Sequence, residues 1–300
     1  MSSALHACPK WSFAILASGL LDAVPAGALS AVVGSAVPKE RAGQLMRMDR
    51  LCGLAVSAAD QLLSSAPSLL DRGAWPAERI GVLVGSSRGC HKTDEEYFRS
   101  YIDGQPSPRL FAYTLPSSPV GEISILHGLM GPGLAVVSGR CAGLEALDEA
   151  QQLLAAEQAD ACLVCAAEVA QPALQRETLL DGAAALWVVP AQKAQAAAGG
   201  YLSEVSSAFS VQGPGLALMQ ALAGLPDAGA AQLVLCDDLT ASLLPPQLRE
   251  RSIIVAVASF GAVAPLMLLQ QVPPDVQHAL VACVDDSGQA ACVLWSRLPG

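Results

Sequence analysis

The chain is poor in positive charge, in histidine and in aromatic residues, and each shortage narrows what it can be. Seventeen Lys and Arg stand against 27 Asp and Glu, a net charge of −10. That balance argues against a nucleic-acid partner, because phosphate backbones are held by clustered cations. An acidic carrier protein would be repelled from most of the same surface. Aromatics are 4% of residues, and 52% are hydrophobic against only 15% charged. Such an Ala- and Gly-rich composition suits closely packed α/β layers, and 300 residues leave room for an ample core. No apolar run reaches the roughly 20 residues of a membrane helix without Pro, Gly or charge, so a soluble, cytoplasmic protein is expected. Residues 12–36 are apolar but broken by Asp22, Pro25 and several glycines. Lys10 alone supplies a basic flank, so no signal peptide is read there.

Cysteine is present but unpaired in pattern. Of nine, only Cys162 and Cys165 form a C-x-x-C pair, inside a predicted strand. Side chains at i and i+3 of a strand point to opposite faces, so neither a metal nor a redox pair is expected. Buried free thiols in a reducing compartment account for them better. Asp237-Asp238 and Asp285-Asp286 are too unspecific for a cation site, and neither metal nor cofactor is expected. Asp94-Glu95-Glu96 reads as a solvated helix start.

What the chain does have is one stretch around which the rest is organised, Gly133 to Cys165. It predicts a strand over 134–138, a tight turn over 139–141, a helix over 142–157 and a strand over 161–165. Leu144, Leu147 and Leu154 recur at helical spacing. Gly139 permits a sharp bend. Glu145, Asp148 and Glu149 lie early in the helix, where its dipole favours negative charge. Such an elbow lifts the turn residue to the positive end of a helix, where enzymes place nucleophiles.

Around it, a first strand is expected over 11–16 and a helix from Met46 to about Ser65. A buried strand follows at 79–87, then a short helix at 94–103. A Pro/Ser-rich crossing segment covers 106–119, and a helix from Pro119 to Leu129 is stopped by Gly131-Pro132. The spacing then predicts a strand at 181–189, an Ala/Gly linker at 192–200, a helix at 215–223, strands at 232–236 and 252–259 and a helix at 262–271. Strands at 279–284 and 290–296 close the chain. The pair 162–165 with 181–189 echoes the pair 279–283 with 287–295, both strand, small-residue turn, strand. That echo suggests two similar α/β halves with buried sheets, 1–195 and 196–300, forming one compact unit.

Several motifs, in order, resemble β-ketoacyl-carrier-protein synthases of the elongating type and their chain-length-factor partners. Met48-Asp49-Arg50 resembles the family's "KMD" helix start. The strand from Arg79 is similar to the one that follows it there. Leu129-Met130-Gly131-Pro132-Gly133 resembles "GLRGPS", the run from Asp181 to Leu186 resembles "GDGAGAL", and Ser259-Phe260-Gly261 resembles "SxxGH". The resemblance implies the thiolase fold: two duplicated halves in five α-β-α-β-α layers, forming a two-fold dimer.

The same resemblance marks what has been replaced. Where the family elbow carries its nucleophilic cysteine, this chain has Arg140, with Cys141 one residue later. The first family histidine position falls on Asp238 and the second on Ala262. His6, His91, His127 and His278 fall in neither motif. The family's "GFGG" loop is replaced by Asp285-Asp286-Ser287-Gly288, and the 168–181 segment is shorter. Condensation needs a thiolate and donors for the developing oxyanion. Arg remains protonated and supplies no nucleophile. A buried guanidinium needs a counter-charge, and Asp238 is the expected partner of Arg140.

The resemblance therefore implies a non-catalytic, chain-length-factor-like subunit of a ketosynthase heterodimer in type II polyketide, polyene or fatty-acid biosynthesis. The acyl carrier protein would be met mainly through the partner. The segment 107–128 would cross to that partner and line its acyl tunnel through Phe111, Leu115, Ile125, Leu126 and His127. His127 is also compatible with a satisfied core histidine. The alternative is an acyl-transferring or malonyl-decarboxylating enzyme that uses Cys141. A degenerate scaffold with no tunnel role, or an unrelated α/β protein, is a third reading.

Overall fold

A computed structural model describes residues 13–21, 43, 45, 47–170, 180–194, 199–254 and 261–297. Met46, residues 195–198 of the linker at 192–200, residues 255–259 of the expected strand at 252–259, and Ser259-Phe260 lie outside them.

The chain runs β1 (Phe13–Leu21), α1 (Arg50–Ser65), β2 (Ile80–Ser86), α2 (His91–Ile102), α3 (Pro108–Phe111), α4 (Ser118–His127), β3 (Gly133–Val137), α5 (Ala142–Ala155), β4 (Ala161–Glu168) and β5 (Gly182–Pro190). It continues through β6 (Gly200–Leu202), β7 (Ser206–Phe209), α6 (Pro214–Ala223), β8 (Leu233–Cys236), α7 (Asp238–Leu243), α8 (Pro246–Arg249), β9 (Ser252–Ile254), α9 (Val263–Gln270), β10 (His278–Val284) and β11 (Gln289–Ser296). The Asp49 carboxylate starts α1 by accepting from the Cys52 N–H at 2.9 Å. α4 ends earlier than Gly131-Pro132 would dictate, because Gly128 takes the left-handed conformation (φ 60°) that releases a helix.

The strands form one continuous ladder in the order β3-β2-β4-β5-β1-β6-β11-β10-β8-β9, with β7 also on β11. β2 is parallel to β3 and β4, whereas β4, β5 and β1 alternate antiparallel. The second half repeats this pattern: β8 is parallel to β9 and β10, and β10 is antiparallel to β11. β4–β5 and β10–β11 are the two stretches whose sequences echo each other. The join is the short antiparallel contact of Phe13–Ile15 with Gly200–Leu202.

Three apolar clusters define five layers. One lies between α1 and the first-half strands, with Leu54, Leu62, Ile80, Leu163 and Trp187 among its members. The central one packs α5 and α9 between both sets of strands, through Leu144, Leu147, Leu266, Val164, Leu186, Val281 and Val293. The third lies under α6, through Leu218, Val234, Leu280 and Leu294. Cys165 belongs to the first cluster and Cys162 to the second, opposite faces of β4 as strand alternation requires. Burying a side chain of Leu or Val size contributes roughly 1.5–3 kcal/mol, so these central helices hold the elbow firmly.

Candidate functional site at the strand-to-helix elbow

Between β3 and α5 the chain makes the sharp turn expected at 139–141. Gly139 adopts φ 71°, and a Cβ there would lie 2.3 Å from the Asp285 carboxylate, so only glycine fits. At the second residue of α5, a Cβ on Gly143 would meet the Ala262 carbonyl at 2.1 Å. The elbow is thus pressed against the loops that follow β9 and β10, the places where the resemblance put the second histidine and the Gly-rich loop.

Arg140 occupies the centre. Its backbone N–H donates to Asp285 Oδ2 at 2.9 Å. Its Nη1 donates to Asp237 Oδ2 at 3.3 Å, an ion pair with side chains only 15% and 7% exposed. The expected partner, Asp238, is the wrong residue by one position. Asp237 follows β8 and caps α7, spending Oδ1 on the Thr240 N–H at 2.8 Å and turning Oδ2 to the elbow. Asp238 is the first residue of α7 and faces solvent. Asp285 uses its other oxygen on the Ser287 N–H at 2.8 Å. Burial works against its charge, but hydrogen bonds from Ser287 and Arg140 and the guanidinium charge hold its carboxyl below the usual value.

Cys141, the alternative nucleophile, is the N-cap of α5 and fully buried. Its thiol donates to the Cys283 carbonyl at 3.6 Å, and the Cys283 thiol donates to the Arg140 carbonyl at 3.5 Å. The hydrogen bond with Cys141, then burial, pushes the Cys283 thiol well up. Sulfur here packs and bonds to backbone, with no open face towards a substrate.

Ala262 is also buried. Its N–H donates to Ser87 Oγ at 2.9 Å and, more loosely, to Glu168 Oε2 at 3.4 Å. Glu168 also accepts from the Ser87 N–H at 3.0 Å. Burial pushes its carboxyl up despite those bonds. The sequence reading missed this Glu168–Ser87–Ala262 cluster, although an acid closing an otherwise apolar strand was a usable signal. Among the described residues, no group of three His, Cys, Asp or Glu is arranged to hold a metal.

The expected tunnel residues divide. Phe111 and Leu115 are each 61% exposed and Ile125 is 79% exposed. Leu126 is half-buried against the first apolar cluster. His127 does not face outward at all: its Nε2 lies 3.1 Å from Asp60 Oδ1 of α1, inside the core. Helical spacing explains the split, since 120, 123 and 127 share the face of α4 that packs on α1 while 125 points away.

The chemistry of this arrangement is restricted. An elbow amide already donating to a carboxylate is not available to polarise a thioester carbonyl, and the group beside it is a guanidinium.

Comparison with known proteins identifies the fold. A structure of the ishigamide ketosynthase/chain length factor superposes with TM-score 0.78 at 21% identity, over 96% of this chain and 100% of that one. The ketosynthase ApeO in complex with its chain length factor ApeC, from Xenorhabdus doucetiae, gives TM-score 0.69 at 14% identity, over 99% of this chain and 100% of that one. The fold is the thiolase fold of ketosynthases. In sequence, 3-oxoacyl-[acyl-carrier-protein] synthase 2 of Staphylococcus aureus is 32% identical over 120 residues, 39% of this chain and 29% of that enzyme. The match thus spans under a third of the relative's length. Residues 34–200, more than half of the chain, match the family described as "Beta-ketoacyl synthase, N-terminal domain", and the chain belongs to that β-ketoacyl synthase family.

Proposed function

We propose that this chain is a non-catalytic, chain-length-factor-like subunit that pairs with an active ketosynthase and helps shape its acyl tunnel. The pathway class is type II polyketide, polyene or fatty-acid biosynthesis. The observation that carries the reading is Arg140: a guanidinium, where the resemblance puts the family's nucleophile, is tied to Asp237, and the Arg140 N–H is given to Asp285. Cys141 is no replacement, because it is buried and bonded to backbone.

The surface supports pairing. Among the described residues, β3 ends the sheet and is hydrogen-bonded along one side only, to β2. Leu134 and Val137 on it are exposed, as are Ile125, Met130, Phe111 and Leu115 nearby in sequence. An open strand edge beside exposed apolar side chains is a surface that a second chain covers. The matched solved structures include complexes of a ketosynthase with a chain length factor. In this reading the carrier protein docks mainly on the active partner, and the halves 1–195 and 196–300 act as one unit.

The test is native mass of this protein alone and co-expressed with the ketosynthase encoded nearest to it. A stable one-to-one complex, in which Phe111 or Leu115 substitutions change product length, supports the proposal. A protein that ignores the ketosynthase, or that carries an acyl adduct on Cys141, overturns it.

A further inference from the structure

A cavity of about 170 Å³ lies between the first turns of α1 and α2, and none of the elbow residues 139–141 lines it. One wall is the start of α1, with Asp49 and Arg50. The second is the start of α2, with Lys92 and Thr93, and the third is Arg109 on α3. Three cations thus converge on one small space in a chain where 17 Lys and Arg are outnumbered by 27 Asp and Glu. Arg50 is committed, since its guanidinium is paired with Asp181. Lys92 and Arg109 are not: among the described residues neither side chain makes an ion pair or a hydrogen bond. Lys92 lies four residues before Glu96, the spacing at which Glu95 and Arg99 of the same helix do pair. It stays instead half-buried against the cavity. A half-buried ammonium without a counter-charge costs stability that an anion beside it would restore.

The acids in the walls do not answer these cations. Asp49 spends Oδ1 on the Cys52 N–H at 2.9 Å and Oδ2 on the Thr93 hydroxyl at 2.7 Å. Glu96 is exposed. Further donors stand at the same place: α2 starts without a side-chain cap, and among the described residues the N–H groups of Lys92 and Thr93 have no acceptor.

We infer that this cavity binds a phosphate group, carried by inorganic phosphate or by a small phosphate monoester, with Lys92 and Arg109 as its principal holders. The volume is below the roughly 300 Å³ at which sites for drug-sized molecules begin, so a single anionic group suits it. A tetrahedral anion offers oxygens to donors arriving from α1, α2 and α3 at once, whereas a carboxylate presents two oxygens in one plane. Charged walls on three sides also exclude an alkyl chain. Occupancy would tie α3 to α2 and so fix Phe111, whose ring centroid lies 5.4 Å from that of Tyr97 on α2. Such binding needs no partner subunit, which separates it from the pairing proposed above.

The experiment is calorimetric titration of the purified full chain with inorganic phosphate and then with glycerol phosphate, against sodium chloride and sodium acetate at matched ionic strength. Saturable one-to-one binding of a phosphate is expected, with none of chloride or acetate. Lys92→Gln and Arg109→Gln should each weaken it about tenfold. Glu96→Gln should tighten it by removing a like charge, and Arg99→Gln, on α2 but outside the cavity, should leave it unchanged. The melting temperature without phosphate should stay near wild type in Lys92→Gln and Arg109→Gln, since neither side chain has a partner to lose. Tighter binding of glycerol phosphate would make the ligand a monoester, and the reverse would make it free phosphate. An absence of saturable binding, equal binding of chloride or acetate, or phosphate affinity that survives both cation substitutions would overturn the inference.

Discussion

The backbone N–H of Arg140 donates to Asp285 Oδ2 at 2.9 Å, so a carboxylate from the loop after β10 sits on the amide at the start of the central helix. Restoring a thiol at this position should therefore not restore chemistry. Arg140→Cys is expected to form no acyl-thioester and to condense at background rate, because the amide is engaged and Asp238 and Ala262 stand where the resemblance puts the donors. Intact mass after incubation with an acyl-loaded carrier protein checks this, and a stable adduct on the new cysteine would contradict it.

Arg140 and Asp237 form a largely buried pair, whereas Asp238 is solvent-exposed. Removing either member breaks this largely buried pair. Arg140→Ala and Asp237→Ala should each lower unfolding free energy by about 2 kcal/mol, and Asp237→Ala by about 1 kcal/mol more through loss of the α7 cap. Asp238→Ala should stay within about 0.5 kcal/mol of wild type. Denaturant titrations of the three variants and of the Arg140/Asp237 double variant measure this. Strict additivity of the two losses would mean the pair contributes nothing.

Acid should loosen the elbow first. Asp285 is held below its usual value in the fold, and hydrogen bonds from Arg79 and Lys193 hold Asp160 down to about 2. A carboxyl whose folded pKa is depressed adds stability above its unfolded pKa of about 4 and loses it as pH falls through the folded value. Unfolding free energy should accordingly be flat for these groups above about pH 5 and decline from about pH 4 towards pH 2. Asp285→Asn should make that decline shallower, and a wild-type slope in this variant would exclude Asp285 as a contributor.

Thiol chemistry offers an independent check on Cys141. Eight cysteines of the described residues are free and buried, and burial pushes Cys162 and Cys165 up to about 12. Thiolate is the reactive form, so native protein treated with iodoacetamide at pH 7.5 should leave all eight unlabelled, and denaturant should expose them. Peptide mapping that finds Cys141 labelled in the native state would revive it as a nucleophile.

The exposed edge can be broken without touching the core. Ile125→Asp and Leu134→Asp replace side chains 79% and 37% exposed. Each should leave the melting temperature within a few degrees of wild type and abolish co-purification with the ketosynthase. His127→Ala should do the opposite, lowering stability by removing a partner of buried Asp60 while leaving the surface intact.

Much of the fold was legible because hydrophobic period and small-residue turns are local signals. The run from Gly133 to Cys165 folds as β3, elbow, α5 and β4 within a few residues of its pattern, and the 162–189 and 279–295 echo became the two antiparallel pairs β4–β5 and β10–β11. The short pieces β6, β7, α7 and α8 left no such signal, since three to six residues carry no period. His127 and Ile125 were placed together because both sit on one apolar helix, and only its packing against α1 told the inward residue from the outward one.

The amino-acid order by itself determined that an arginine stands at the elbow, that no histidine follows in either expected motif, and that the surface is acidic. Those are matters of which side chains exist. Which carboxylate answers Arg140 was decided by the tertiary structure, because Asp237, the buried cap of α7, faces the elbow while its neighbour Asp238 is exposed. The engagement of the elbow amide by Asp285 joins residues 145 positions apart, a contact that only the folding of the second half against the first can create.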